Sequence, residues 1–179
     1  RKQVIARFPE LADRTEVLLN FIDIKQVQRR SEEPLSDPQY TGELKFLTVG
    51  RASEEKGYDI AVQITAELKK RGLRFKWFII GDGRDLNKLR TMAKEYQVEQ
   101  EIIFLGMREN PAPYVKSCDL YLQPSRHEGY PITIVEARSL QKVIIASDIP
   151  SMREQIRDGE NGYLCPLDVM QFADKIQKV

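Results

Sequence analysis

Beyond residue 43 the chain alternates short apolar runs with longer stretches in which apolar residues recur every three or four positions. Leu44–Val49, Phe75–Ile80, Ile102–Leu105, Asp119–Leu122 and Val143–Ala146 are strand-length runs, and Gly50, Gly81 and Gly106 close three of them. Between the runs, Ile60, Ala61, Ile64 and Leu68 fall at helical spacing within Gly57–Arg71, and Gly72 stands where a helix stop belongs. Leu86, Leu89, Ala93 and Tyr96 mark a second amphipathic helix, and further helices are expected over Ile132–Leu140 and Met152–Arg157. Asn161-Gly162 is a turn signal, and Val169, Phe172, Ala173, Ile176 and Val179 line a last helix. Strands that are apolar throughout and alternate with helices predict a parallel sheet covered on both faces. Right-handed crossovers make it a doubly wound, Rossmann-like α/β sheet. Ligands of such sheets bind outside the carboxyl ends of the strands. Chemistry is therefore expected in residues 50–57, 81–84, 106–110 and 123–133.

The first part of the chain has no such pattern. Residues 1–23 carry apolar residues without forming a self-sufficient unit, and Val17-Leu18-Leu19 reads as a short strand. Residues 24–43 are rich in Gln, Arg, Ser and Glu and contain Pro34 and Pro38, a composition that predicts a surface connection. Residues 44–179 form the regular domain. With 179 residues the chain is one domain or a piece of a larger protein, and the missing initiator Met makes the second the expectation. A hydrophobic fraction of 41% suffices for a packed core. Charge is nearly balanced, 28 Lys+Arg against 27 Asp+Glu, which removes the electrostatic case for nucleic acid as a partner. No apolar run approaches the ~20 residues needed to span a bilayer. Cys118 and Cys165 lie far apart, which reads as free thiols in a reducing compartment.

Three stretches could carry chemistry. In Gly50-Arg51-Ala52-Ser53-Glu54-Glu55-Lys56-Gly57, two cations flank a loop that leaves a strand and enters a helix. Arg51 offers a planar fork and Lys56 a movable point charge, and both suit a diphosphate. The bland alternative is a solvated loop whose cations pair with Glu54 and Glu55. Gly81-Asp82-Gly83 lacks the third glycine of a dinucleotide fingerprint, position 86 being Leu, and reads as a turn marker.

The third stretch, Ser125 to Ala137, is the most informative. Pro131 suits the first position of a helix, which leaves the amides of Ile132 and Thr133 free at a positive dipole end. Glu128 and Glu136 invite comparison with a glycosidase pair. Residues 131–136 alone rise roughly 7–8 Å along a helix, longer than the ~5–5.5 Å of a retaining glycosidase. An inverting pair remains open on this arithmetic, but two such carboxylates more naturally hold two parts of one elongated ligand. Alternatively, Glu128 is a local partner for Arg126 and Glu136 a solvated helix position. His127 is the only histidine, and Ser125 is not in a G-x-S-x-G elbow.

Taken together, Val49-Gly50-Arg51 with Lys56-Gly57, Gly81-Asp82-Gly83, Phe104-Leu105-Gly106, Pro124-Ser125, Glu128-Gly129-Tyr130-Pro131, Glu136-Ala137 and Asp158-Gly159-Glu160-Asn161-Gly162 resemble the C-terminal half of family 4 glycosyltransferases. The resemblance covers residues 44–179 and reaches back to Asn20–Asp23. Asn110-Pro111-Ala112-Pro113-Tyr114 is similar to a variant of bacterial surface-polysaccharide transferases. The likeness implies a GT-B fold, of which this would be the nucleotide-sugar-binding half, and a retaining transfer from a nucleotide-diphosphate sugar, most simply a UDP-sugar. It implies that Gly50, Arg51 and Lys56 hold the diphosphate and that Glu128 contacts the transferred sugar. Gly129, Tyr130, Ile132 and Thr133 would serve the sugar and distal phosphate, Met107 and Arg108 would edge the base, and Glu136 would bind the ribose.

Arg51, Lys56 and Glu128 would be the catalytic set, with neither metal nor other cofactor. The acceptor, a glycan or a lipid-linked glycan, would be bound by an N-terminal half of which residues 1–23 are a remnant. The setting implied is cytoplasmic, with any membrane contact peripheral and in that missing half. Pro131 departs from the commoner Glu-Gly-Phe-Gly form, and Phe21 from the usual Gly. A sugar-nucleotide epimerase of related architecture is the runner-up. A receiver-like binding module is the non-enzymatic alternative, against which Gly50-Arg51 at the first strand end argues.

Overall fold

The computed structural model describes residues 1–18 and 20–179. Six strands form one sheet: β1 (Lys45–Val49), β2 (Lys76–Ile80), β3 (Ile102–Gly106), β4 (Leu120–Gln123), β5 (Val143–Ser147) and β6 (Tyr163–Cys165). Their spatial order is β3-β2-β1-β4-β5-β6, and every pairing is parallel. The order reverses between β1 and β4, where chain crossovers leave in opposite directions and a crevice opens at the carboxyl ends.

Alternate residues of each strand enter alternate cores, as the pleat requires. Phe46, Trp77, Ile79 and Leu122 pack on one face with Ile64 and Leu68 of α3 (Tyr58–Lys70), Leu89 of α4 (Leu86–Glu95) and Phe172 of α8 (Val169–Lys178). Leu47, Phe78, Ile80 and Tyr121 pack on the other with Val115 of α5 (Ala112–Ser117), Ile134 of α6 (Ile132–Ser139) and Met152 of α7 (Pro150–Arg153). The buried polar exception in β1 is satisfied: Thr48 Oγ1 donates to the Leu122 carbonyl at 2.6 Å and accepts from Trp77 Nε1 at 2.9 Å.

The doubly wound parallel sheet expected from the periodicity is present, and most of its elements lie within a residue or two of the expected bounds. The segment 24–43 needs correction. It contains a helix, α2 (Ile24–Ser31), capped by Asp23, whose carboxylate accepts from the Gln26 amide at 3.0 Å. The polar residues that suggested solvation are clamps. Arg30 Nη2 donates to the Glu109 carbonyl at 3.0 Å, and Asn110 Nδ2 donates back to the Arg30 carbonyl at 2.9 Å. Tyr40 is buried against Phe78, its hydroxyl donating to the Tyr114 carbonyl at 2.9 Å.

Within residues 44–179 one α-helix and one strand were not anticipated, because α5 carries two prolines at its start and β6 has only three residues. The helix near Met152 begins and ends earlier than expected, at Pro150–Arg153. The strand expected over Val17–Leu19 falls partly outside the described residues. Val17 and Leu18 join no strand, and Leu18 is 90% exposed. Before them, α1 (Lys2–Arg7) and a 3-10 turn over Pro9–Arg14 contain no buried residue. No helix among the described residues is long and apolar enough to cross a membrane.

Candidate functional site

The loops that follow β1 and β4 meet at the switch point and are stitched to each other. The backbone amides of Arg126 and His127 donate to the Glu55 carbonyl at 2.8 and 3.2 Å. Arg126 makes a two-pronged ion pair with Asp59, both contacts at 2.6 Å, and also donates to the Glu54 carbonyl. Burial alone would raise the Asp59 carboxyl, and the Arg126 guanidinium reverses this and holds it below its ordinary value. Arg126 is thus committed to Asp59, which corrects the alternative that made it the local partner of Glu128.

Two glycines make this proximity possible. Gly57 sits in the left-handed region at φ +66°, and a Cβ there would lie 1.9 Å from the Pro124 carbonyl oxygen. At Gly81, φ +139°, a Cβ would lie 1.9 Å from the Gly50 carbonyl oxygen. Gly81-Asp82-Gly83 is therefore more than a turn: the Ala52 amide donates to the Asp82 carbonyl at 2.9 Å, so the tripeptide props the Gly50–Ser53 loop from beneath.

In the crevice Lys56 Nζ donates to both carboxylate oxygens of Glu128, at 2.7 Å to Oε1 and 2.9 Å to Oε2. Lys56 therefore does not pair with Glu54 or Glu55, as the solvated-loop alternative required. The Glu128 side chain is only 8% exposed, and two further hydrogen-bond donors hold it: Ser125 Oγ at 2.7 Å and Gln123 Nε2 at 2.9 Å, both to Oε1. A carboxylate so enclosed is tolerable only because it is paired and hydrogen-bonded. Gly50 is packed just behind: a Cβ there would meet the Tyr58 hydroxyl at 2.9 Å and Lys56 Cε at 3.3 Å. That Tyr58 hydroxyl is buried without a hydrogen-bond partner, and burial pushes its pKa well above the usual value.

Arg51 is exposed and makes no ion pair among the described residues. The helix α6 begins at Ile132, where the expected range put its start, and Pro131 is its N-cap and not its first helical residue. No side chain caps α6, so the amides of Ile132 and Thr133 are left to another acceptor. The Thr133 hydroxyl is likewise buried without a partner. Gly129 is exposed and Tyr130 half-buried on the approach to this helix.

The structure does not bring every expected residue to this point. Met107 is 76% exposed beyond the end of β3. The Arg108 guanidinium is bound to Asp37, at 2.7 Å from Nη2, to the Tyr114 hydroxyl at 3.1 Å, and to the Leu105 carbonyl. Glu136 stands one turn into α6 and borders a cavity of about 40 Å³ with Val27, Arg30, Asn110 and Ala112. Burial raises its carboxyl above the ordinary range, and the Arg30 charge opposes that rise. Sequence reasoning gave Gln123 no role beyond closing a strand. The signal was a lone amide at the end of the apolar run Leu120–Leu122, in a position now seen to be fully buried. Cys118 and Cys165 are buried free thiols, and burial raises them to about 12 and about 11.

A parallel sheet in the order 3-2-1-4-5-6 is the doubly wound, Rossmann-like class of α/β domain, here with paired charges at its switch point. The chain belongs to the family described as glycosyl transferases group 1, whose model matches residues 30–179. It is 29% identical over 180 residues to an uncharacterized glycosyltransferase of Methanocaldococcus jannaschii, a match covering 98% of this chain and 42% of that protein. Among solved structures, Anabaena HepE in complex with UDP superposes with a TM-score of 0.80 at 22% identity, over 93% of this chain and 48% of that one. The pneumococcal O-GlcNAc transferase GtfA, in complex with UDP and GlcNAc, gives a TM-score of 0.69 at 25% identity, over 79% of this chain and 30% of that one. The chain thus spans less than half the length of each of these proteins, and its fold is that of a half of a GT-B glycosyltransferase.

Proposed function

We propose that this chain is the sugar-nucleotide-binding part of a retaining glycosyltransferase that uses a UDP-sugar. The observation that carries the reading is the enclosed Lys56–Glu128 pair at the β1–β4 switch point, beside the exposed Arg51 and the uncapped start of α6. A diphosphate entering there gives Lys56 a second anionic partner, while Glu128 keeps Ser125 and Gln123. Arg51, Lys56 and the amides of Ile132 and Thr133 then take up the negative charge that grows on the departing diphosphate. Stabilising charge that develops in the transition state is the principal electrostatic means of catalysis.

Glu128 receives hydroxyls of the transferred sugar, whose anomeric carbon becomes oxocarbenium-like. The acceptor hydroxyl attacks from the face that the diphosphate leaves, which retains the anomeric configuration. Glu136 binds the ribose, and the backbone at Met107 and Arg108 edges the base. No metal ion enters this scheme. UDP as the nucleotide is supported by GtfA, at 25% identity. The acceptor in this reading is a glycan or lipid-linked glycan held by the rest of the protein, on the cytoplasmic side of a membrane and in peripheral contact with it.

The test uses the full-length protein with UDP-hexoses, UDP-N-acetylhexosamines and lipid-linked glycan acceptors, and reads the anomeric coupling of the product by proton NMR. The account expects the α configuration of the sugar nucleotide to be kept. A β product contradicts retention, and interconversion of the sugar nucleotide without acceptor supports the epimerase instead.

A further inference from the structure

The three hydrogen-bond donors around Glu128 are distributed unevenly. Oε1 accepts from Lys56 at 2.7 Å, Ser125 Oγ at 2.7 Å and Gln123 Nε2 at 2.9 Å. Oε2 accepts from Lys56 alone, at 2.9 Å. A carboxylate has about two lone-pair sites per oxygen, so Oε1 is saturated and Oε2 keeps one acceptor site.

Gln123 and Ser125 are themselves fully buried, at 0% exposure, and are locked to each other by a hydrogen bond from Gln123 Nε2 to Ser125 Oγ at 3.0 Å. Behind them the Tyr121 hydroxyl donates to Gln123 Oε1 at 3.4 Å, and Ser147 of β5 donates to the Ser125 carbonyl at 2.5 Å. Neither the amide nor the hydroxyl is open to solvent, so neither is placed to touch a ligand. A fully satisfied buried polar network costs more to assemble than apolar packing and returns a fixed geometry.

We infer that Gln123 and Ser125 are positioning residues that dedicate Glu128 Oε1 to the protein and leave Oε2 to accept a hydroxyl of the bound sugar. The inference rests on the reading of the crevice as a sugar-nucleotide site. The network holds the carboxylate plane independently of Lys56. When a diphosphate draws Lys56 away, Glu128 therefore does not swing with it, and the selectivity for the sugar over the bare nucleotide is built into the end of β4.

Calorimetric titrations of the full-length protein with UDP, UDP-glucose and UDP-N-acetylglucosamine test the inference. The quantity read is the ratio of UDP affinity to sugar-nucleotide affinity in wild type, Ser125→Ala and Gln123→Met. A charge-assisted hydrogen bond retained only in wild type predicts that at least one sugar nucleotide binds about tenfold or more tighter than UDP there, and about equally in both variants, with the UDP affinity itself unchanged.

A preserved ratio in Ser125→Ala and Gln123→Met overturns the positioning role and leaves the nucleotide site standing. Parallel loss of UDP affinity overturns it too, since the network then merely supports the loop. A wild type without any sugar increment overturns it directly, and one that binds no nucleotide removes the site reading along with it.

Discussion

Lys56 and Glu128 stand 72 residues apart in sequence, and their side chains meet at 2.7 Å at the one place where the sheet changes direction. Neither could be enclosed there alone, because an unpaired buried charge costs several kcal/mol. The pair is built by the chain reversal itself: β1 delivers the lysine, and β4, its neighbour across the switch, delivers the carboxylate.

Replacing Lys56 by Ala is expected to weaken binding of UDP by about 10- to 100-fold, the worth of a charge-assisted contact to an anion. Binding of uridine is expected to change little. Arg51→Ala follows the same pattern with a smaller loss, since Arg51 is exposed. Isothermal titration with both ligands checks this, and equal losses for UDP and uridine would remove the diphosphate role.

Glu136→Gln should separate stability from function. Burial raises this carboxyl, so its ionised form disfavours folding, and the penalty grows as pH climbs through the raised value. The variant is expected to melt at a higher temperature than wild type at pH 7 and at the same temperature near pH 4. It is also expected to bind uridine more weakly, through loss of the ionised acceptor. Thermal melts across this range, paired with uridine titrations, would show whether both effects occur.

The Asp59–Arg126 pair stitches the two loops and behaves in the opposite sense. Its carboxyl is held low, so its stabilisation is present above the ordinary carboxylate range and is lost as pH falls through the lowered value. At its partly exposed position the difference between wild type and Asp59→Asn is expected to be about 0.5–1 kcal/mol at neutral pH. Urea melts at pH 7 and at successively lower pH below the ordinary carboxylate range would show that gap and then its narrowing.

Gly57→Ala tests whether the glycine is required by geometry. A left-handed backbone costs ~1–2 kcal/mol with a side chain present, and the new Cβ would meet the Pro124 carbonyl at 1.9 Å. The variant is expected to lose more than about 2 kcal/mol of stability and to lose UDP binding with it. Gly72→Ala is the control, since nothing lies within 4 Å of its Cβ. It has the same backbone cost without the collision. Equal denaturant midpoints for the two would contradict the close approach.

Much of this was legible in the chain. The glycines that end β1, β2 and β3 marked where each strand stops, and the unbroken apolar runs showed that the sheet is covered on both faces. The charged residues of 50–57 and 123–133 followed from that topology alone. What was hidden depends on long-range partners. Residues 24–43 look solvated because Gln28, Arg30 and Glu33 are polar, yet these side chains bind the Ser139 and Glu109 carbonyls and the Asn110 amide. Gln123 carries no motif and Ser125 entered only within Pro124-Ser125, with no partner attached to it, and only the fold turns both toward Glu128. Arg108 looked open to a base, but Asp37, from the same misread segment, holds its guanidinium.

The central claim is that the crevice between β1 and β4 grips a diphosphate. Its most direct measurement is a titration of the isotopically labelled chain with UDP and, separately, uridine, followed by amide chemical shifts. The account predicts that UDP binds at least about tenfold tighter than uridine, as one charge-assisted contact requires. It also predicts that the diphosphate-specific shifts cluster at Gly50–Gly57 and Gly129–Thr133. Equal affinity for the two ligands, or shifts centred away from those two loops, would contradict it.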